Sequence, residues 1–283
     1  MELTVVEIRR AVRAALAEDL GRGDATTLAT VPAGAKSVAF MNAREPLTVA
    51  GIQFVETAFR ELSPKIQLKR FARDGQHVKA GAPLLKISGS SRAILSAERV
   101  ALNFVQRLSG VATATAQFAA QVKGTKAQIL DTRKTTPGWR RFEKYAVACG
   151  GGKNHRVGLF DMVLIKDNHL VALRNEPPNA IAAAVARARE KFPKLKVEVE
   201  ADTLAQVAQA ADAGADIILL DNMSNAQLRQ AVKIIRGRAQ TEASGGVNLK
   251  TVRAIAGTGV NFISVGAITH SARAVDIGLD FED

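Results

Sequence analysis

The segment KVEVEADTLAQVAQAADAGADIILLDNMSNAQLRQAVKIIRGRAQTEASGG (196–246) decides the fold. Three short apolar or β-branched runs, KVEV (196–199), DIILL (216–220) and TEAS (241–244), alternate with Ala-rich helical stretches at 204–213 and 225–235. Strand–helix alternation at this spacing predicts a parallel sheet. The same grammar extends both ways. QIL (128–130) and MVLI (162–165) come before, and FISV (262–265) after, with further helices expected at 180–190 and 248–256. No fixed-period repeat is present, so a solenoid is not expected.

Each run ends on chemistry. After QIL comes Asp131-Thr132-Arg133-Lys134, after MVLI Lys166-Asp167-Asn168-His169, and after KVEV Glu200. After DIILL comes Asp221-Asn222, TEAS runs into Ser244-Gly245-Gly246, and FISV ends on Gly266. A charged residue after one strand is ordinary loop chemistry. Six strand ends in a row mark the C-terminal face of a (β/α) barrel, where such folds keep their sites.

Upstream the texture differs. Apolar positions at helical spacing (Val5, Ile8, Val12, Leu16, Leu20) predict a first helix, stopped by Gly21 and Gly23. From Val38 to about Ser90, short runs broken by Gly, Pro and Asp predict strands and turns, with a helix over 54–62. Residues 91–122 read as a long helix with a break at Gly110. The expected class is α/β: an N-terminal α/β sandwich-like domain (1–110, joined by 270–283) and an open (β/α) barrel (111–269).

The chain has 283 residues, with 39 Lys and Arg against 27 Asp and Glu, a net charge of +12. At 47% hydrophobic and 23% charged, it is expected to fold around an ordinary core. A single cysteine, Cys149, forbids an intramolecular disulfide and points to a reducing, cytoplasmic setting. MELTVVEIRR lacks the apolar core of a signal peptide, and no run approaches the ~20 apolar residues of a membrane span, so no membrane is expected. The cations are spread along the chain, and Tyr and Trp occur once each. Base-stacking platforms are therefore scarce, and no nucleic acid is expected.

An anionic small molecule suits the charge better. Residues 131–170 hold Arg133, Lys134, Arg140, Arg141, Lys144, Lys153, His155, Arg156 and Lys166. Guanidinium forks suit carboxylate and phosphate. Gly150-Gly151-Gly152 permits close anion approach but reads more simply as a turn. Ser244-Gly245-Gly246, read as opening a late helix, suits a phosphate. Glu200 and Asp221 stand apart: together they could hold Mg²⁺ through oxygens and water, act as acid and base, or bind sugar hydroxyls. The four histidines lack zinc spacing, and no Walker A, GxSxG or GxGxxG motif is present.

These blocks resemble a known family. DTRKTTPG (131–138), EKYAV (143–147), the GGG and NHR of 150–156, LIKDNH (164–169), LLDN (219–222), EASGG (242–246) and SVGAITHS (264–271) are similar to quinolinate phosphoribosyltransferases. GDATT (23–27) and SAERVALNFVQRLSG (96–110) match as well, so the resemblance runs from about Leu20 to the C-terminus. Trp139 departs from it, where a smaller aliphatic residue is expected. The resemblance implies transfer of phosphoribosyl from phosphoribosyl pyrophosphate to quinolinate with loss of CO₂, in de novo NAD synthesis. It implies quinolinate contacts from Arg99, Arg133, His155, Arg156 and Lys166, and catalytic roles for Lys134, Glu200 and Asp221. Mg²⁺ is implied near Glu200 and Asp221 through water, and a 5′-phosphate cradle at Ser244, Gly245, Gly246 and Gly266. It further implies a homodimer or higher oligomer with shared active sites, to which Arg99 contributes across the interface. The alternatives are a molybdenum-associated protein of the same fold, against which the KDNH block and the intact NHR speak, nicotinate phosphoribosyltransferase, which would need fewer carboxylate-binding cations, and, from a different class, a basic RNA-binding protein.

Overall fold

A computed structural model describes residues 1–282. In chain order the elements are α1 (Val5–Leu20), α2 (Ala25–Thr30), β1 (Lys36–Ala43), β2 (Leu47–Thr48), α3 (Ile52–Leu62), β3 (Gln67–Arg70), β4 (His77–Val78), β5 (Pro83–Ser90) and α4 (Ser91–Val122). There follow β6 (Gln128–Leu130), α5 (Arg140–Cys149), β7 (Val163–Ile165), α6 (Asp167–Val171), α7 (Ala180–Lys191), β8 (Val197–Ala201), α8 (Leu204–Asp212) and β9 (Ile217–Asp221). The chain closes with α9 (Asn225–Ile235), β10 (Gln240–Ser244), α10 (Val252–Ala256), β11 (Phe262–Ser264), α11 (Ala267–His270) and β12 (Ile277–Phe281). Among the described residues no helix is long and apolar enough to cross a membrane.

Two compact units divide the chain. The first comprises residues 1–116, 141–151 and 271–283. Its sheet runs β12-β1-β5-β3, antiparallel throughout. Thr4 and Glu7 form a capping box that starts α1, and α1 buries Ile8, Val12 and Leu16. Phe54 of α3 stacks on Phe104 at 4.9 Å and meets Phe142 edge-on at 5.1 Å, anchoring α5 in this unit. Arg107 and Glu143 pair at 2.7 Å beside them. The expected division put 111–269 together; the structure assigns 141–151 to the first unit, through these contacts.

Gly110 does not break α4, which is continuous from Ser91 to Val122. A Cβ there would lie 2.0 Å from the Arg273 carbonyl oxygen. The glycine therefore serves close approach of a second backbone segment rather than a helix stop. Gly150 has the same office: a Cβ would lie 2.3 Å from the Ala112 carbonyl oxygen.

The second unit comprises residues 117–140 and 152–270. Its six strands are all parallel, in the order β6-β11-β10-β9-β8-β7. The edge strands β6 and β7 do not pair with each other, so the barrel is open. Lys153 extends the β6 edge, bridging to Leu130 in parallel. Thr203 with Gln206 and Ser224 with Gln227 form capping boxes that start α8 and α9 close behind their strands. One face of the strands, including Val197, Val199, Ile218, Leu220 and Ala243, is buried. The alternate positions are Leu164 and Lys166, Glu198 and Glu200, Leu219 and Asp221, Glu242 and Ser244. Period-two alternation thus gives β7, β8, β9 and β10 one face that carries chemistry, on which Glu198, Leu219 and Glu242 are themselves buried.

Candidate active site

The C-terminal ends of these strands enclose a cavity of ≈ 690 Å³. Lys134, Glu200, Asp221, Arg133, His155, Arg156, Lys166, Ser244, Gly245, Gly246 and Gly266 all line it. Arg99 does not; it is exposed on α4, in the first unit. Gly150, Gly151, Gly152 and Trp139 do not line it either.

The loop after β6 is built around a buried acid. Asp131 is 0% exposed. Its Oδ1 accepts the His155 N–H at 2.8 Å and its Oδ2 accepts Asn154 Nδ2 at 2.7 Å, which ties the two ends of the cationic segment together. Asp161 accepts the N–H groups of Val157 (2.7 Å) and Gly158 (2.9 Å) and shapes the next turn. Arg156 Nη1 donates to the Met162 carbonyl at 3.3 Å. The Nε of Arg133 is buried with no hydrogen-bond partner. Burial, and then the Arg133 charge, lower the pKa of Arg156. A crowded cation and an unsatisfied guanidinium N–H in one cavity describe a site shaped for an anion.

The acids differ from one another. Glu200 Oε2 accepts Lys166 Nζ at 2.7 Å, so this carboxylate orients a lysine. Asp221 Oδ2 accepts only the adjacent Asn222 Nδ2, at 2.6 Å. Asn222 adopts left-handed backbone (φ 51°) and donates its N–H to the Ser244 carbonyl at 2.9 Å. A Cβ on Gly245 would lie 2.1 Å from Asn222 Oδ1, so only glycine fits against that turn. Ser244-Gly245-Gly246 does not open a helix: α10 begins at Val252. Asn248 takes up the interval, its Oδ1 accepting the Lys250 N–H and its own N–H donating to Thr251 Oγ1, each at 3.0 Å. On the facing side, Thr269 Oγ1 donates to the Lys134 carbonyl at 2.7 Å. A Cβ on Gly266 would press on Lys134 Cδ at 3.3 Å.

Several lining residues went unforeseen. Glu242, Ser264, Asn222 and His270 face the cavity, and Glu198 lies behind His155. Their signal was present in the strands: Glu198 and Glu242 each precede a strand-end residue by two, and so share its face.

An open α/β barrel with a cationic cavity at its strand ends and the carboxylates of Glu200, Asp221 and Glu242 among the cations defines an enzyme class that handles anionic substrates. The chain belongs to the quinolinate phosphoribosyltransferase family. Residues 24–109 match the quinolinate phosphoribosyl transferase N-terminal domain and residues 111–280 its C-terminal domain. The carboxylating nicotinate-nucleotide pyrophosphorylase of Mycobacterium leprae is 44% identical over 278 residues, 96% of each chain. The chloroplastic carboxylating enzyme of Arabidopsis thaliana is 41% identical over 98% of this chain and 83% of its own. The structure of the Francisella tularensis nicotinate-nucleotide pyrophosphorylase superposes with a TM-score of 0.93 at 41% identity, covering 99% of this chain and 98% of its own.

Proposed function

We propose that the cavity binds quinolinate on its Arg133, Arg156 and Lys166 side and the phosphoribosyl group on its Asp221 and Ser244-Gly245-Gly246 side. The chain transfers phosphoribosyl from phosphoribosyl pyrophosphate to quinolinate, giving nicotinate mononucleotide, pyrophosphate and CO₂, a step of de novo NAD synthesis. The observation that carries the residue assignment is the buried, unpartnered Arg133 Nε beside Arg156. Two carboxylates fixed by two guanidinium forks and Lys166 would satisfy both.

Departure of pyrophosphate leaves positive charge on the ribose C1, which a nearby carboxylate stabilises. Asp221, with no cation on it, suits that task and the ribose hydroxyls. The pyridine nitrogen then bonds C1, the ring charge so created stabilises the electron pair left on C2 when CO₂ departs, and a proton from water takes up that pair to give nicotinate mononucleotide. Position and electrostatics are the protein's share. Lys134, packed against Gly266, is a basic contact for the phosphoribosyl group, and Gly245 and Gly246 give backbone room for the 5′-phosphate.

Glu200 Oε1 and Asp221 Oδ1 carry no hydrogen bond among the described residues. These hard oxygens fit Mg²⁺ bound through water. When bound, Mg²⁺ would neutralise the polyphosphate. Arg99, which is not part of this lining, is assigned to a partner chain's cavity in a homodimer or larger assembly.

Asp221→Asn tests the two-sided assignment. Quinolinate binding measured by calorimetry should hold within about twofold, while kcat falls and the Mg²⁺ dependence weakens. A large loss of quinolinate affinity would move Asp221 to the pyridine side.

A further inference from the structure

In the cavity wall His155 and Glu242 form a cluster with Glu198, which lies behind His155, and the steps of the reaction give the two acids no part. Nε2 of His155 is 3.0 Å from Glu198 Oε2 and 3.5 Å from Glu242 Oε2. Glu198 is 0% exposed and Glu242 1%. Neither oxygen of Glu198, nor Oε2 of Glu242, has an aligned hydrogen bond. Burying two carboxyl groups this way is costly unless something holds them there. Burial, and then the charge of Glu198, push the pKa of Glu242 well up, with the Ser264 hydroxyl opposing.

The three donor atoms lie within 4.8 Å of one another, a spacing that a divalent ion could bridge. The far side of the imidazole decides otherwise. The Arg156 N–H donates to Nδ1 at 2.8 Å, so Nδ1 presents its lone pair and the ring proton sits on Nε2. A protonated Nε2 cannot ligate an ion, but it can donate to carboxylates. Nδ1 is thereby committed to the backbone while Nε2 faces the two acids, so the protein sets the orientation of the imidazole.

We propose that Glu198 and Glu242 are positioning residues of the quinolinate subsite. Their carboxyl groups face the Nε2–H of His155 at 3.0 and 3.5 Å and, through the Arg156 N–H on Nδ1, hold the Arg156 fork at the angle at which it meets a pyridine dicarboxylate. Arg156 is pinned at three places: at its N–H, at its Nη1 on the Met162 carbonyl, and by the field of Glu198 behind it. The two acids act through His155, and they belong to the pyridine half of the site alone. The proposal rests on the reading that Arg156 binds quinolinate.

Two measurements test it. In protein labelled with ¹⁵N-histidine, the His155 resonances, identified by their loss in His155→Asn, should show the neutral Nε2–H form. Glu198→Leu should convert them to a tautomer mixture and raise the quinolinate KM about tenfold or more, the size of one charge-assisted hydrogen bond, with the phosphoribosyl pyrophosphate KM within about twofold. Glu198→Gln keeps the shape and an acceptor oxygen. It should preserve the Nε2–H form and stay within about threefold of the parent, so the test survives if the Leu variant fails to fold. An Nδ1–H form in the parent, equal losses for both substrates in Glu198→Leu, or a Gln variant as poor as Leu would each overturn the proposal. Arg156→Lys checks the underlying reading separately: an unchanged quinolinate KM there removes Arg156 from the subsite, whatever the tautomer.

Discussion

Arg133 carries a buried Nε–H with no acceptor, and Arg156 beside it is held at a lowered pKa by burial and by the Arg133 charge. A dicarboxylate relieves both at once, which is why guanidinium geometry matters here more than charge. Arg133→Lys keeps the charge and loses the fork. It should cost about 1.5–3 kcal/mol, or about 10- to 150-fold in kcat/KM for quinolinate. Steady-state kinetics near the parent value would make Arg133 structural. At this scale the sequence was informative wherever a strand end carried an unusual residue: Lys166, Glu200 and Asp221 stand out as soon as the strands are marked. For Glu198 and Glu242 it offered only their place two residues before a strand-end residue, not their burial. A glutamate inside a short strand reads as a solvated face, and only closure of the sheet turns that face inward. The sequence left open whether Glu200 or Asp221 would pair with Lys134 or Lys166; side-chain reach across neighbouring strands decides for Glu200 and Lys166, at 2.7 Å.

The elements were legible where the hydrophobic period was strong. All six parallel strands fall where their apolar runs lie, and α8 and α9 start at residues whose hydroxyls cap them. Two glycine readings went the other way for one reason. A glycine in sequence signals either free backbone or close approach, and the two cannot be told apart before the neighbouring segment is known. Gly110 lies inside α4 and receives the Arg273 carbonyl. Gly110→Ala would add ~1 kcal/mol of helix propensity. The clash at 2.0 Å is with backbone, which cannot swing away. The overpacking cost of about 1–3 kcal/mol should win, lowering the denaturation midpoint. A midpoint at or above the parent's would return Gly110 to the role of a helix interrupter. The Ser244-Gly245-Gly246 turn shows the same ambiguity in another form: its glycines answer to Asn222, not to a helix N-terminus.

Over the whole molecule, a net charge of +12 is matched to a reaction whose substrates are both anions. The six parallel strands and the longer helices follow from hydrophobic period and turn residues, while α2, α5, α6, α11 and β12 carry no such signal in the reading of the sequence. The assignment of 141–151 to the first unit does not follow from them, since it depends on Phe54 meeting Phe142 across a long stretch of chain. Arg99 belongs to this scale too. Exposed and outside the cavity lining, it is proposed to complete a partner's site. Arg99→Ala and Lys134→Ala chains, each weakly active alone, should regain activity when unfolded together and refolded as a mixture, because one site per mixed pair keeps both side chains. Activity no higher than the parents' mean would place Arg99 outside the reaction. The central claim is that one cavity joins phosphoribosyl transfer to loss of a carboxylate from a pyridine dicarboxylate. The direct measurement is release of labelled CO₂ from 2-carboxyl-labelled quinolinate by the purified protein with phosphoribosyl pyrophosphate and Mg²⁺, set against nicotinate mononucleotide formed. Equal amounts of the two products, with nicotinate a poor substitute for quinolinate, are the expected result; mononucleotide made from nicotinate without CO₂, or no CO₂ at all, would contradict it.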